Sequence, residues 1–155
     1  MNRQKEQGFK IALDTSFLIR LLSKTNIHNQ DANLFVKEFK NKKSIFYIST
    51  ITLAEYLVKG KTEDLPLEYF RLDTFNHYQA EISANIFNKL RNNRGSITRR
   101  ALKDDVKILA QAIEKEIDYI LCADSDFETL IKQYDTDVKV INILNITSVL
   151  FFNKL

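Results

Sequence analysis

The sequence predicts an α/β domain with a mainly parallel sheet and helices on both faces. Two observations predict it. Short apolar segments alternate with longer segments of helical periodicity. The chain also has 155 residues, of which 45% are hydrophobic and 28% charged, as in one globular domain and unlike a disordered chain. Strands that alternate with helices pair in parallel, because each helix returns the chain to the same end of the sheet.

The first half of the chain contains two candidate strands. The apolar segment FKIAL predicts a strand at 9–13 that ends at Asp14, and β-branched and aromatic residues predict another at 44–48. Ser49 or Thr50 can cap the helix that follows the second strand. Apolar residues at helical spacing place the helices of this half at 16–22, 30–41 and 51–59.

The second half repeats the alternation. A weak extended stretch at 69–75 precedes a long helix at 77–91, and a loop at 92–98 leads to a helix at 102–116. The remaining predicted elements are a strand at 118–122, a short helix near 125–133, a strand at 138–143 and a C-terminal helix. In such sheets ligands bind beyond the carboxyl ends of the strands, so residues that end strands are the first candidates for a site.

Composition excludes several classes of protein. One Cys cannot form an internal disulfide, and it cannot build a Cys/His zinc cage with only 2 His. No apolar run approaches the roughly 20 residues that cross a bilayer, and the charged N-terminus lacks an apolar signal region. We therefore expect one domain, 1–155, in the cytoplasm without a membrane partner, with 1–8 as a flexible N-terminal extension. The net charge of +3 permits a polyanionic partner without requiring one.

Two acidic residues end predicted strands. Asp14 directly follows the first strand, and Asp124 follows the strand at 118–122 after one alanine. Because parallel strands end at the same edge of a sheet, both carboxylates are candidates for a shared site. The alternative is a purely structural role, since carboxylates also cap helices and stabilise their N-terminal turns.

Two further acidic residues lie on helix faces that the pattern predicts to be buried. Glu55 shares such a face with Ile51, Ala54 and Val58. Asp105 shares its face with apolar residues three, four and seven positions later. A buried carboxylate is costly unless a cation compensates it, either a Lys or Arg side chain or a metal ion. Four converging carboxylates would raise one another's pKa, and an oxygen-only set is typical of Mg²⁺ or Mn²⁺ sites.

Four segments resemble, in order, the motifs of PIN domains. IALDTSFLIRLL resembles the strand that ends in Asp-x-Ser/Thr/Asn, and TITLAEYL resembles the helix that bears the family's Glu. DVKILAQA resembles Asp-x-x-Ile-x-Ala-x-Ala, and LCADSDFETL resembles the closing strand with Thr-x-Asp-x-x-Phe. The resemblance covers nearly the whole chain beyond the first eight residues, although 60–75 matches no motif. It is greatest to the compact VapC-type toxin ribonucleases.

The resemblance implies a Rossmann-like three-layer α/β/α fold and a Mg²⁺- or Mn²⁺-dependent endoribonuclease that hydrolyses RNA phosphodiester bonds. It implies the toxin of a type II toxin–antitoxin pair, with a VapB-like antitoxin and a homodimer. The catalytic and metal-binding acids that match are Asp14, Glu55, Asp105 and Asp124, with Asp126 and Asp104 as second-tier candidates. Ser16 matches the small polar residue that supports the first Asp, whereas Cys122 stands where Thr or Ser is usual.

Roles follow for these acids and for a basic segment beside them. We expect Asp14 and Asp124 to bind metal directly, and Glu55 and Asp105 to bind through water or to hold a second ion. Five cations in thirteen residues precede Asp105 and are candidates for RNA phosphate binding: Arg91, Arg94, Arg99, Arg100 and Lys103. The alternative is a solvated loop and helix end, where Arg is favourable near a helix C-terminus.

Other functions remain open. Asp124-Ser125-Asp126 also resembles the Asp-x-Asp motif of haloacid-dehalogenase-type phosphatases, but it lies late in the chain and is followed by Glu128 where that family has Thr or Val. A receiver domain would need an Asp after its middle strand, and the strand at 44–48 ends in Ser and Thr instead. A PIN-like nuclease of RNA processing or decay, and a non-catalytic module that binds RNA or protein, are the nearer alternatives.

Overall fold

A computed structural model describes residues 8–93 and 95–145, which contain a five-stranded sheet. The strands are β1 Lys10–Leu13, β2 Ile45–Ser49, β3 Phe70–Asp73, β4 Tyr119–Cys122 and β5 Lys139–Asn142. Their order is β3-β2-β1-β4-β5, and every neighbouring pair is parallel. The predicted α/β class with a parallel sheet is confirmed.

Helices cover both faces of this sheet. Within the described ranges they are α1 Thr15–Leu22, α2 Asn29–Asn41, α3 Thr50–Tyr56, α4 His77–Leu90, α5 Arg99–Glu114 and α6 Asp126–Gln133. The helices α1 and α2 bury Phe17 and Phe39 in one core, while α5 and α6 bury Leu109 and Phe127 in a second core on the other face. The three layers match the α/β/α arrangement implied by the PIN resemblance.

The chain reverses its direction across the sheet between β1 and β4. From β1 the strands proceed through β2 to β3 at one edge, and the chain then returns to the other side of β1 for β4 and β5. Such a switch point leaves a crevice beyond the carboxyl ends of the two strands, where ligands bind in open α/β sheets. Asp14 and Asp124 follow these two strands, and Asp14 N donates to Leu121 O at 2.9 Å.

The segment that matched no motif completes the sheet edge. It forms a short 3-10 helix, Thr62–Asp64, and then β3, which pairs with β2 in register Phe46 to Phe70. The weak extended stretch predicted at 69–75 is therefore a strand.

The prediction of which face of the helix at 51–59 is buried is wrong. The helix α3 ends at Tyr56, and its buried residues are Thr52 and Tyr56. The Thr52 hydroxyl donates to the carbonyl of Leu13 at 3.4 Å, which turns this side of the helix toward β1. Glu55 is consequently exposed, and Val58, beyond the helix end, is 77% exposed.

The helix that carries Asp105 begins earlier than predicted. Thr98 caps α5 by accepting a hydrogen bond from Ala101 N at 3.1 Å, so Arg99 and Arg100, which precede the predicted helix at 102–116, occupy its first turn. The predicted C-terminal helix, Arg94 and all of the predicted extension except Gly8 lie outside the described residues. No helix of the described chain is long and apolar enough to span a membrane.

Candidate active site

Asp14 is a buried carboxylate at the end of β1. It is 5% exposed, and its Oδ2 accepts hydrogen bonds from Ser16 N at 3.0 Å and from Ser16 Oγ at 2.5 Å. Burial raises the pKa of Asp14 to about 6; the Ser16 hydroxyl opposes this rise and the charge of Asp124 adds to it. Asp14 therefore caps α1, as the structural alternative predicted, but it does so inside the protein and at the switch point.

Ser16 joins the two strand ends that form the crevice. Its hydroxyl donates to Asp14 and accepts a hydrogen bond from Ala123 N at 2.9 Å, in the segment that leads to Asp124. The buried Cys122 thiol donates to the Asp124 carbonyl at 3.4 Å, so this position retains a donor although the usual hydroxyl is absent. Burial raises the pKa of Cys122, which keeps the thiol protonated and argues against a nucleophilic role.

Replacing Ser16 tests this connection. We expect Ser16→Ala to lower the free energy of unfolding by about 1 to 3 kcal/mol, because Asp14 and the Ala123 amide both lose a partner while buried. Urea denaturation measures the change. Ser23→Ala, at the C-terminal cap of the same helix, is the control and should lie near the wild type. Equal stability of the two variants would contradict the bridging role.

Asp105 has the least satisfied carboxylate of the site. Its Oδ2 is buried and has no hydrogen-bond partner within residues 8–93 and 95–145. Burial, and then the charges of Asp14, Asp126, Asp124 and Glu55 in that order, together raise the pKa of Asp105 to about 8. The helix face predicted for Asp105 is confirmed as the buried one, and five carboxylates act on one another at this end of the sheet.

Glu55 reaches the site although its helix face is exposed. Its Oε2 accepts a hydrogen bond from the hydroxyl of Thr15, the residue next to Asp14. The first turn of α1 thus contacts both the Glu55 side chain and, through Ser16, the segment of Asp124. The sequence carries no signal for Thr15, since it occupies the variable position of the Asp-x-Ser motif.

The two second-tier acids differ in their surroundings. Asp126 lies in the first turn of α6, and its backbone N–H donates to Asp124 Oδ1 at 3.1 Å. Burial, and then the charge of Asp124, raise the pKa of Asp126, which places this residue among the interacting acids. Asp104 instead forms an ion pair with Lys107 at 3.0 Å.

Asn142, at the end of β5, supports the segment that carries Asp124. Its side-chain amide is buried and donates to the Asp124 carbonyl at 2.8 Å and to Glu128 Oε2 at 2.9 Å. An Asn at the end of a strand is common, so nothing in the sequence singles it out.

The donor set fits a divalent cation. As the side chains stand, no three acidic, His or Cys residues of the described chain are arranged to hold a metal ion jointly. The buried Asp105 oxygen, however, has no partner of its own. The neighbouring donors are carboxylate oxygens, the ligands that Mg²⁺ and Mn²⁺ prefer. A cation would also offset the repulsion among these acids.

The basic residues before Asp105 are exposed in the described part of the segment. Arg91 ends α4, where a cation is favourable, as the structural alternative predicted. Arg99 and Arg100, in the first turn of α5, lie where a positive charge opposes the helix dipole. Helix stability therefore does not explain these two arginines.

Comparisons with known proteins identify the class of fold. No protein-family model matches the sequence, and a search of curated proteins finds no match. FitAcB from Neisseria gonorrhoeae matches with a TM-score of 0.64 and 20% identity, over 87% of this chain and 99% of that chain. VapBC2 from Rickettsia felis, bound to a promoter DNA fragment, matches with a TM-score of 0.62 and 18% identity, over 86% of this chain and 98% of that chain.

A third structure is VapC20 from Mycobacterium tuberculosis, described as a sarcin-ricin loop cleaving toxin. It matches with a TM-score of 0.58 and 16% identity, over 76% of this chain and 92% of that chain. At these identities the likeness shows the fold alone. The chain has the fold of VapC-type toxin structures, and the resemblance to PIN domains is confirmed at that level.

Proposed function

We propose that this protein is an endoribonuclease that hydrolyses RNA phosphodiester bonds with Mg²⁺ or Mn²⁺. The observation that carries the proposal is the buried, unpartnered oxygen of Asp105, which lies in the field of Asp14, Asp126, Asp124 and Glu55. The position of these acids at the switch point, where this fold class binds ligands, supports the proposal. The shared fold with a toxin described as cleaving the sarcin-ricin loop supports it further.

The acids divide the work in this proposal. Asp14 and Asp124 would hold the cation directly, and Glu55 and Asp105 would hold it through water or hold a second ion. A bound divalent cation lowers the pKa of a water molecule and offsets charge on the scissile phosphate. Ser16 keeps Asp14 oriented, and Thr15 holds Glu55. Asp105 must release its proton to act as a ligand, so cation binding releases protons.

The basic segment supplies the substrate contacts. The residues that we expect to bind RNA phosphates precede Asp105 in the sequence and are Arg91, Arg94, Arg99, Arg100 and Lys103. The exposed first turn of α5 combines Arg99 and Arg100 with a helix N-terminus, an end of the helix that favours anions.

Removing these two charges should weaken RNA binding. We expect the Arg99→Ala/Arg100→Ala protein to bind single-stranded RNA more weakly, with a salt dependence that falls by about 0.7 per lost phosphate contact, or about 1.4 for two. Fluorescence anisotropy over a salt series measures this slope. Lys24→Ala/Lys37→Ala removes two exposed charges elsewhere and is the control. Identical slopes for both variants and the wild type would exclude the phosphate role.

The toxin role is the specific form of the proposal. Several structural neighbours come from toxin–antitoxin complexes, which supports a VapB-like antitoxin as partner. A homodimer in the cytoplasm belongs to the same proposal. Induced expression in a bacterial host should stop growth, and co-expression of an antitoxin-like protein encoded beside it should restore growth. Normal growth together with cleavage of RNA in vitro would favour a processing or decay nuclease.

Cleavage of labelled single-stranded and structured RNAs tests the activity itself. We expect cutting with Mg²⁺ or Mn²⁺ and none with EDTA. Cutting that persists in EDTA would contradict the metal-dependent scheme. Absence of both cutting and Mn²⁺ binding would contradict the enzymatic proposal and favour a module that only binds RNA or protein.

A further inference from the structure

A polar pair is buried where the ends of β2 and β3 meet α5. Ser49 is 8% exposed and Gln111 is 4% exposed, and the Ser49 hydroxyl donates to the side-chain carbonyl of Gln111. The two residues are far apart in sequence, and the acidic site described above uses neither of them. A polar pair at such a buried position requires an explanation, because apolar side chains would fill the space without the need for matched partners.

Ser49 makes a second bond at the same time. As the N-cap of α3, its hydroxyl oxygen accepts a hydrogen bond from Ile51 N at 3.0 Å. One hydroxyl therefore fixes the start of the helix that carries Glu55 and also holds a residue of α5. The sequence indicated the cap but not the partner on α5.

Gln111 uses both ends of its side-chain amide. Its oxygen accepts from Ser49, and its nitrogen donates to the Asp73 carbonyl at 3.1 Å and to Asp73 Oδ2 at 3.0 Å. Asp73 in turn forms an ion pair with Lys115 at 3.6 Å. The amide of Gln111 therefore connects α5 to the ends of β2 and β3. A buried hydrogen-bond network in which every group has a partner favours one arrangement of the helices and strands that it joins.

The hydrogen bond between Ser49 and Gln111 lies close, along α3 and α5, to two acids of the site. Glu55 is within two turns of Ser49 on α3, and Asp105 is within two turns of Gln111 on α5, where the rise is about 1.5 Å per residue. Because helices are stiff over such a length, a hydrogen bond between Ser49 and Gln111 restrains the backbones that carry Glu55 and Asp105. Ser16 has the corresponding effect on Asp14 and Asp124.

We propose that Ser49 and Gln111 are positioning residues of the acidic site, which hold α3 and α5 at the spacing that cation binding by Glu55 and Asp105 requires. This inference rests on the proposed function, since it needs a cation site at these acids. It adds a requirement that the motifs do not contain: the cation affinity depends on a hydroxyl and an amide that touch no proposed ligand.

Mn²⁺ binding to the purified full-length protein, measured by electron paramagnetic resonance of the free ion, tests the inference without reference to cleavage. We expect Ser49→Ala and Gln111→Met to weaken Mn²⁺ binding about tenfold, as supporting residues of metal sites commonly do. Ser49→Thr keeps the hydroxyl and should restore the affinity. Gln111→Met keeps the cap of α3, so this variant tests the hydrogen bond between Ser49 and Gln111 if Ser49→Ala fails to fold.

Ser83→Ala is the matched control. Ser83 is a buried serine of α4 whose hydroxyl donates to Ala80 O at 3.0 Å, within its own helix. Its removal should lower stability without changing the Mn²⁺ affinity. Wild-type affinity in both Ser49→Ala and Gln111→Met, with Mn²⁺ bound normally by the wild type, overturns this inference alone. Absence of Mn²⁺ binding by the wild type overturns the proposed function and the inference together.

Discussion

Asp14→Asn should abolish metal-dependent RNA cleavage while the protein remains folded. The amide oxygen of Asn can accept the bonds that Ser16 donates, and Asn is as good an N-cap as Asp, so α1 keeps its start. The substitution removes the negative charge that the proposed cation binds. We expect a loss of about a thousandfold or more in the cleavage rate, which corresponds to about 4 kcal/mol of transition-state stabilisation.

Single-turnover cleavage of a labelled RNA with saturating Mg²⁺ or Mn²⁺ measures this loss, and thermal unfolding checks the fold. Asp31→Asn is the control, because Asp31 is also an acid in a helix N-terminal turn but belongs to α2. The control should cut like the wild type. Cleavage by Asp14→Asn at the wild-type rate would remove Asp14 from the mechanism, and with it the proposed cation site at the switch point.

The metal-free protein should lose stability as the pH rises from about 5 to about 8. Burial raises the pKa of Asp14 to about 6 and of Asp105 to about 8, above the ordinary value of 3.8. The folded protein therefore holds protons that the unfolded chain releases, so this contribution to stability is complete below about pH 4 and is lost as the pH rises through the raised pKa values. We expect a decrease on the order of 5 kcal/mol over this range.

Urea denaturation in EDTA at a series of pH values measures the slope. Asp105→Asn should flatten it, because the neutral side chain has no proton to lose, and added Mg²⁺ or Mn²⁺ should restore stability to the wild type above about pH 7. Asp104→Asn changes the next residue, which is paired with Lys107, and should keep the wild-type slope. A free energy of unfolding that does not change with pH in the metal-free wild type would contradict the raised pKa values of the buried acids.

The strand ends were predictable because strand patterns and their limits are local. Asp14 follows its apolar strand directly and Asp124 follows after one alanine, so their common edge could be inferred from the parallel sheet alone. Asp105 was placed on the correct face because α5 is long and its apolar period repeats several times. Glu55 was placed wrongly, since α3 is short and the bond from Thr52 to Leu13, a residue distant in sequence, decides how it is rotated.

The supporting residues could not be predicted in this way. Thr15, Gln111 and Asn142 are polar residues whose partners lie on elements far away along the chain. Neither hydrophobic periodicity nor capping preference encodes such contacts. The hypothesis of a cation site could therefore be formed from the sequence. The hydrogen bonds that hold the acids of that site in place could be found only in the three-dimensional structure.

The order of the strands has a consequence for the newly synthesised protein. The crevice lies between β1, near the start of the described chain, and β4, near its end. Pairing of strands so distant in sequence is slow, because a long loop must close before the contact is gained. A nascent chain still lacking β4 has Asp14 without Asp124 and without the Ala123 amide that Ser16 binds. If the protein is the proposed nuclease, ribosome-bound fragments that lack β4 should therefore be inactive, and the proposed partner has an interval in which to bind before RNA cleavage begins.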